Sequence, residues 1–199
     1  MAVIVLQIVG WAAFVSGTLL IGTWLRQHRD KATAERTSRV MQGLFFAGLV
    51  IPAGLGLFYP GYLQYDALLG VPPLSLRALT LVSGGILLLA GLYLMAVSLG
   101  ALRRLGHGAN AFRLTTRLVV ADIYRRTRNP MSLGYYLFCI SAGLLAGSTA
   151  ITVFALIAVI PAHLLYLTYF EELEVGLRQG PAYLAYKQNV PFLIPRRVT

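Results

Sequence analysis

Long apolar runs alternate along the chain with short stretches that hold almost all of its charges. A helix that spans a membrane needs about 20 mostly apolar residues. Five runs meet or approach this length, at about residues 2–25, 40–59, 78–102, 131–147 and 149–170, and the fourth of them is short. The pattern therefore predicts an all-α integral membrane protein with about five transmembrane helices.

The last two runs predict a tight hairpin, because only the residues Gly-Ser-Thr at 147–149 separate them. The far ends of two helices joined in this way, near residues 130 and 170, should be neighbours. The final 29 residues alternate between polar and aromatic positions, so we expect them at the surface. We expect one membrane-embedded domain over residues 1–199, with three spans in 1–102 and the functional core in 103–199.

Composition supports this interpretation and limits the alternatives. The chain is 57% hydrophobic and 12% charged, whereas a soluble domain has about 25% charged residues. The single cysteine, Cys139, lies in an apolar run, so no disulfide can form within the chain and a packing role is expected. No basic residue precedes the first apolar run, which argues for a span rather than a signal peptide.

The basic residues are distributed very unevenly. All of them except Arg77 lie in residues 26–39, in the connector 103–130 or in the C-terminal tail. The positive-inside rule makes these segments cytoplasmic, which places the N-terminus outside and the C-terminus inside. Topology and anionic lipid headgroups then account for the net charge of +10, and no nucleic-acid partner is needed.

The fourth run is preceded by two residues that favour a helix start. Pro130 suits the first turn of a helix, and Asn129 is a good N-cap residue. A helix N-terminus attracts anions, and Arg128 would add a permanently charged donor. The alternative is a simple cap that anchors the helix at the lipid headgroups.

Three of the seven acidic residues follow the fifth run directly. In a helix, Glu171 and Glu174 share one face, while Glu172 points about 100° away. They could pair with arginines of the connector or bind a cation, or they could simply begin a solvated amphipathic helix. Together with Arg128 at the start of the fourth run, these carboxylates would suit a ligand that carries both a positive and a negative charge, such as an amino acid or a nucleotide-linked amino acid.

The histidines give weaker indications. His107 lies between Gly106 and Gly108, where a ligand could approach the backbone closely. His163 lies inside the fifth run, where an ionisable group is a functional candidate, although a neutral packing role is open too. The three histidines and the cysteine are scattered, so no metal site is predicted, and no Rossmann fingerprint, P-loop or Ser-His-Asp order is present.

Two segments together resemble a known family. They are LVVADIYRRTRNPMSLGYY at 118–136 and EELEVGLRQGPAYLAYKQNVPFLIP at 171–195, separated by the apolar hairpin. In this order and at this spacing they resemble the isoprenylcysteine carboxyl methyltransferase family and its bacterial and phospholipid methyltransferase relatives. The resemblance covers about residues 100–195, and the first two spans carry no motif.

The resemblance implies that S-adenosylmethionine binds without a Rossmann domain, in a cytoplasmic pocket formed by the connector 103–130 and the C-terminal helix. The residues implied to line this pocket are Gly106, His107, Gly108, Tyr124, Arg128, Asn129, Pro130, Glu171, Glu172, Tyr183 and Tyr186. Asp122, Ser132 and Gln179 depart from the family pattern, which has glycine, tyrosine and phenylalanine at these positions.

The resemblance also implies the chemistry of the site, with Arg128, Asn129 and Glu172 as its catalytic residues. Glu171 or Glu172 would hold the ammonium group of the cofactor, and Arg128 would hold its carboxylate or polarise the acceptor. An acceptor carboxylate needs no base, whereas an amine must lose a proton, which Glu172 or His107 could take.

We therefore expect a methyltransferase, in a bacterial inner membrane, that acts on a lipophilic acceptor: an isoprenylcysteine-like carboxylate or a related small lipid. Three alternatives are a phospholipid amine N-methyltransferase, an NADPH-dependent enzyme similar to sterol reductases, and a non-catalytic membrane scaffold. The expected partners are membrane lipids and a lipophilic or prenylated substrate.

Overall fold

A computed structural model of the protein describes residues 2–59, 61–107 and 114–196, and this part of the chain is helical and without strands. It contains seven helices: α1 Ala2–Gln27, α2 Lys31–Phe58, α3 Tyr62–Leu69, α4 Arg77–Leu105, α5 Pro130–Ala146, α6 Thr149–Gln179 and α7 Pro181–Asn189. A short 3-10 helix, Asp122–Arg125, lies in the connector.

Four of these helices, α1, α2, α4 and α6, are long and apolar enough to cross a membrane. The prediction of an all-helical integral membrane protein is therefore confirmed. Helix α5 is apolar but has 17 residues, a length of roughly 26 Å at 1.5 Å per residue, which is less than the hydrocarbon core of about 30 Å. The count of five spans stays a prediction.

The helices α1, α2, α4, α5 and α6 run between the same two ends of the bundle. We call one the basic end; it is formed by residues 26–39, 103–107, 114–130 and 170–196. We call the other the cap end; it is formed by α3, by residues 70–77 and by the turn at Gly147 and Ser148. The described basic residues that were predicted to share one side lie at the basic end, and Arg77 lies at the cap end; Arg113 and Arg197 lie outside the described residues.

The segment 26–39 was expected to be a loop and a span was expected to begin at Val40, but α2 already begins at Lys31. Asp30 is its N-cap, and the Asp30 Oδ1 atom accepts a hydrogen bond of 2.9 Å from the Thr33 amide. The added turns bury Ala34 and Met41 in a core with Phe14 and Phe170. Tertiary burial of one face thus extends the helix into polar sequence.

Helices α4 and α5 pack at very short distance. A Cβ atom built at Gly134 would lie 2.7 Å from the Gly91 carbonyl oxygen, and one built at Gly91 would lie 2.7 Å from the Gly134 carbonyl oxygen. Small residues at such a crossing let two backbones approach, as in other membrane helix pairs. This contact sets the position of α5 and of the residues that precede it.

The tight hairpin is confirmed, since α5 ends at Ala146 and α6 begins at Thr149. Gly147 has a left-handed backbone with φ of 72°, and the Ser148 side chain accepts a hydrogen bond from the Ile151 amide. α5 packs closely on residues 149–159 of α6. Nearer the basic end the two helices are bridged by long side chains.

The cap end holds the hairpin turn with two charged residues. The carboxylate of Asp66, which is 3% exposed, accepts hydrogen bonds from the Ser148 hydroxyl and from the Thr149 and Ala150 amides, at 2.7 to 3.0 Å. The Arg77 guanidinium donates to the carbonyl oxygens of residues 144 and 145 at 3.3 and 2.7 Å. An anion thus meets a helix N-terminus and a cation meets a helix C-terminus.

The C-terminal tail was expected at the surface, and this was wrong for its aromatic residues. Helix α6 continues to Gln179, Gly180 turns the chain with φ of 63°, and α7 follows. Tyr183 and Tyr186 of α7 are buried. The Tyr186 hydroxyl donates to the Tyr124 carbonyl oxygen at 2.7 Å, so the aromatic positions of the tail pack on the connector.

Candidate functional site

The connector approaches the site through a strained residue. Asp122 has φ of 54°, and it begins the 3-10 helix that buries Tyr124. Glycine adopts this backbone region without penalty, and aspartate is one of the few other residues that tolerate it. The backbone therefore explains why the family pattern has glycine where this chain has Asp122. The exposed Asp122 carboxylate also pairs with Arg104 at 3.2 Å.

The tail returns along the residues that precede α5. The Arg128 amide donates to the Pro191 carbonyl oxygen at 2.9 Å, and the Arg196 amide donates to the Arg126 carbonyl oxygen at 3.1 Å. The buried Thr127 hydroxyl donates to the Leu193 carbonyl oxygen at 2.8 Å. These bonds place residues 190–196 over the start of α5.

Asn129 occupies the N-cap position of α5, and Pro130 is the first helical residue, as predicted. The expected capping by the Asn129 side chain is wrong. Its amide group instead donates to the Phe192 carbonyl oxygen at 2.9 Å, because the returning tail supplies an acceptor. This contact gives Asn129 a positioning role, and the catalytic role expected for it stays a prediction.

Arg128 and Glu172 meet, as the hairpin predicted. An Arg128 Nη1 atom lies 2.5 Å from a Glu172 carboxylate oxygen, and both side chains are largely buried, at 10% and 14% exposure. The other Glu172 oxygen accepts a hydrogen bond of 2.5 Å from the Lys187 Nζ atom. Two cations therefore contact Glu172 within the protein, and the cofactor-binding and catalytic roles expected for it stay predictions.

Lys187 was missed in the sequence because nothing there shows that the tail folds back. The pattern held one indication: Lys187 follows Tyr183 by four residues, so the two share a helix face. This face of α7 is directed toward Glu172, because the Lys187 Nζ atom forms an ion pair with the Glu172 carboxylate.

Glu174 also has a partner. It is 2% exposed and forms an ion pair with Arg178 one turn later in α6. The Arg178 Nη1 atom donates in addition to the Thr115 carbonyl oxygen at 2.9 Å. This pair joins the end of α6 to the connector. Glu174 therefore has a structural partner, whereas Glu171, three residues earlier on α6, is not part of this ion pair.

Glu171 is the carboxylate that differs from the other two. Within the part of the chain that the structure describes, its side chain forms no hydrogen bond and no ion pair. The pKa of Tyr124 is raised, mainly by burial and then by the nearby Glu171 carboxylate. Burial, followed by the Glu172 carboxylate, raises the pKa of Tyr183 to about 12, and Glu171 contributes in the same direction. Glu171 thus lies among phenol groups that remain protonated at neutral pH.

Arg128 also has a hydrogen-bond donor without a partner in the described part of the chain. Its Nε atom is buried and has no hydrogen-bond acceptor among the described residues. An open cavity of about 820 Å³ lies beside it, and Arg125, Lys187, Phe192 and Arg196 contribute to the lining of this cavity. The site therefore offers an unsatisfied cationic donor and an unpaired carboxylate, and a ligand of both signs would complement them.

Gly106 has a packing role in the connector, and the cofactor-binding role expected for it stays a prediction. Gly106 is buried at the end of α4, and its carbonyl oxygen accepts hydrogen bonds from the amides of Thr116 and Arg117. A Cβ atom there would lie 2.7 Å from the Leu102 carbonyl oxygen, so Gly106 allows the connector to pack closely. His107 is exposed with φ of 54°, and Gly108 lies outside the described residues.

His163 is buried between α5 and α6 at 7% exposure. Its Nδ1 atom lies 3.0 Å from the hydroxyl of Tyr136, a partner that the sequence analysis did not identify. Across the described parts of the chain, no group of three or more histidine, cysteine or acidic side chains could hold a metal ion.

The fold and this geometry define an integral membrane protein with a charged site at one end of a helix bundle. The family model for phospholipid methyltransferases matches residues 79–175, from α4 through the connector and α5 to the acidic end of α6. This match, over 97 of the 199 residues, confirms the resemblance found in the motifs and indicates a membrane methyltransferase. Comparisons with curated proteins and with solved structures gave no match.

Proposed function

We propose that the protein transfers a methyl group from S-adenosylmethionine to a lipophilic acceptor that reaches the site from the membrane. One observation carries the proposal: Glu171, a carboxylate without a partner among the described residues, directly precedes Glu172 of the Arg128–Glu172–Lys187 cluster, in a chain that the phospholipid methyltransferase model matches. We further propose that the basic end is cytoplasmic, because almost all basic residues lie there.

The residues present fit this cofactor. S-adenosylmethionine carries an ammonium group, a carboxylate and a sulfonium cation, and when bound it supplies an electrophilic methyl group. Glu171 is the carboxylate free to take the ammonium group, since Glu172 is already neutralised. The Arg128 Nε atom lacks an acceptor and would hold the carboxylate. The rings of Tyr124 and Tyr183, both near Glu171, can face a cation.

In this account the chain contributes to catalysis through position and electrostatics. Glu172 holds the guanidinium of Arg128 in one orientation, and Lys187 restrains Glu172 from its other side. Asn129, Thr127 and the tail hold the start of α5 in place. A displacement that only moves a methyl group needs alignment and exclusion of water more than a strong acid or base. The buried phenols of Tyr124 and Tyr183 would exclude water from this region.

A labelled-transfer experiment tests the proposal. Detergent-purified protein would be incubated with S-adenosylmethionine labelled at its methyl group and with a lipid extract, and the labelled lipid would then be identified. We expect label in a lipid fraction with wild type, and a strong loss with Arg128→Ala. Absence of label from every fraction with wild-type protein that is folded and binds the cofactor would contradict the proposal.

One observation favours a second candidate. The four cations that line the cavity would also suit the phosphate groups of NADPH, as in the sterol-reductase alternative. Titration of the same preparation with NADPH separates the two, because we expect binding of S-adenosylmethionine and no saturable binding of NADPH.

A further inference from the structure

The inner part of the hairpin contains a polar pair that the proposed chemistry does not use. The Tyr136 hydroxyl on α5 and the His163 Nδ1 atom on α6 are 3.0 Å apart, and the two residues are 4% and 7% exposed. The tautomer of His163 decides which atom donates, and we assign the donor to Tyr136 because a phenol is a stronger donor than a neutral imidazole. In that tautomer the Nε2 atom of His163 carries a proton and is a donor.

The Nε2 atom forms no hydrogen bond with any of the residues that the structure describes. It is not among the fully enclosed atoms without a partner, so it retains accessible surface that a ligand could reach. Ionisable residues within membrane spans mark ligand or ion sites. A packing role alone would be filled equally well by an apolar side chain. An oxygen atom that is not part of the protein is the simplest partner for Nε2.

The surroundings of His163 suit the entry of a lipid. The rings of Phe45, Tyr135 and Tyr166 lie with their centroids 5.2 to 5.5 Å from the imidazole ring, and all three are only partly buried. They belong to α2, α5 and α6, so three helices meet here through side chains.

Local irregularities in the helices surround this position. His163 lies between two π-helical turns of α6, Ala155–Val159 and Leu167–Glu171, and Phe45 directly precedes the π-helical turn of α2, Phe46–Val50. Such turns are frequent at functional sites.

We propose that the Nε2 atom of His163, oriented by Tyr136, hydrogen-bonds a carbonyl oxygen in the backbone of the lipid acceptor and so selects acceptors that carry one. His163 precedes Glu171 by eight residues of α6, or about 12 Å along the helix. The carbonyl would therefore lie deeper in the membrane than the group that is methylated. This inference rests on the proposed function and makes His163 a positioning residue.

The first test observes the histidine directly and needs no turnover. Protein labelled with ¹⁵N in its three histidines would be titrated in detergent with ester-linked phosphatidylethanolamine and with its ether-linked analogue, which lacks the carbonyl groups. The signal that disappears in His163→Gln identifies the ring. We expect the Nε2 resonance to shift with the ester lipid alone. An equal response to both lipids, or to neither, would overturn the proposal.

The second test uses kinetics with matched variants. His163→Phe should raise KM for the ester lipid by about five- to tenfold, the value of one hydrogen bond, and should leave KM for S-adenosylmethionine unchanged. The melting temperature should fall somewhat, because the buried Tyr136 hydroxyl loses its partner. His163→Gln keeps an N–H donor and should retain the preference for the ester lipid.

If His163→Phe fails to fold, Tyr136→Phe offers the same comparison with a smaller expected effect on KM. A preference for the ester lipid that survives His163→Phe would refute the assignment. Failure of the proposed function gives a different result from failure of this inference. In that case S-adenosylmethionine would not bind, while the His163 Nε2 resonance would still respond to the ester lipid.

Discussion

The two ends of the hairpin formed by α5 and α6 both carry charged side chains, and these side chains have different partners. At the cap end, Asp66 receives three hydrogen bonds from the start of α6, and Arg77 donates to the end of α5. At the basic end, Glu171 has no partner among the described residues, and the Nε atom of Arg128 has no acceptor there. The hydrogen bonds of the cap end are made within the protein, whereas the described part of the basic end leaves Glu171 and the Arg128 Nε atom without partners.

This difference separates stability from function. A charge whose hydrogen bonds are all made within the protein stabilises the fold, and its removal leaves buried groups unpaired. A charge without a protein partner destabilises the free protein unless it is solvated or bound. Substitutions at the cap end should therefore lower the melting temperature, and substitutions of unpaired groups at the basic end should lower ligand affinity.

Arg128→Ala is expected to have the largest effect, because Arg128 serves both purposes. It removes the donor for the ligand and leaves the largely buried Glu172 with Lys187 alone. We expect methyl transfer to fall by about 100-fold or more and stability to fall by about 3 kcal/mol, measured by labelled transfer and thermal unfolding. Arg125→Ala is the control, since the exposed Arg125 lines the same cavity. An equal loss in both variants would remove the special role of Arg128.

Asp66→Asn tests the cap end. The amide group presents two donors to a position where the carboxylate accepts three hydrogen bonds, so stability should fall by about 2 kcal/mol. Affinity of the folded protein for S-adenosylmethionine should not change. Asp122→Asn, at an exposed ion pair, should leave the melting temperature nearly unchanged. A loss of affinity at constant melting temperature in Asp66→Asn would reverse the comparison.

Lys187→Met tests whether Glu172 needs both of its cations. Lys187 is 43% exposed, and Glu172 keeps Arg128 without it. A partly solvated ion pair contributes about 0.2 to 1 kcal/mol, so activity should fall by no more than about fivefold. Lys187→Arg should restore it. A loss as large as that of Arg128→Ala would show that Lys187 contacts the ligand itself.

Asp122→Gly should have the smallest effect. Glycine fits the φ of 54° without strain, and the exposed pair with Arg104 contributes little. We expect an unchanged or slightly higher melting temperature and unchanged activity. Asp122→Val should destabilise by about 1 kcal/mol or more, because a branched side chain is strained in this region. Equal stabilities of the two variants would contradict the backbone explanation.

The sequence predicted the long helices and the hairpin because apolar runs and the short Gly-Ser-Thr turn define them locally. It did not predict that α2 begins at Lys31, since the polar residues there become helical only when Ala34 and Met41 are buried against distant parts of the chain. The fold of the tail was missed for a similar reason. The burial of Tyr183 and Tyr186 depends on contacts with the connector.

The candidate site was predictable in part. The proximity of Arg128 and Glu172 follows from the hairpin and is confirmed. The sequence did not show which carboxylate remains unpaired. Lys187 contacts Glu172 only because α7 folds back, and Arg178 could have paired with more than one of the acidic residues before it. The hydrogen bonds that Asn129 and Gly106 form with the tail and the connector did not follow for the same reason, since they join segments that are distant in the sequence.

Calorimetric titration of S-adenosylmethionine into wild type, Glu171→Gln and Glu174→Gln, with the melting temperature of each, tests the central claim most directly. Glu171→Gln should lose about tenfold or more in affinity, the value of a hydrogen bond to a charged group, and keep the wild-type melting temperature. Glu174→Gln should do the opposite, because Glu174 pairs with Arg178. Undiminished cofactor affinity in Glu171→Gln, or no binding in wild type, would contradict the account.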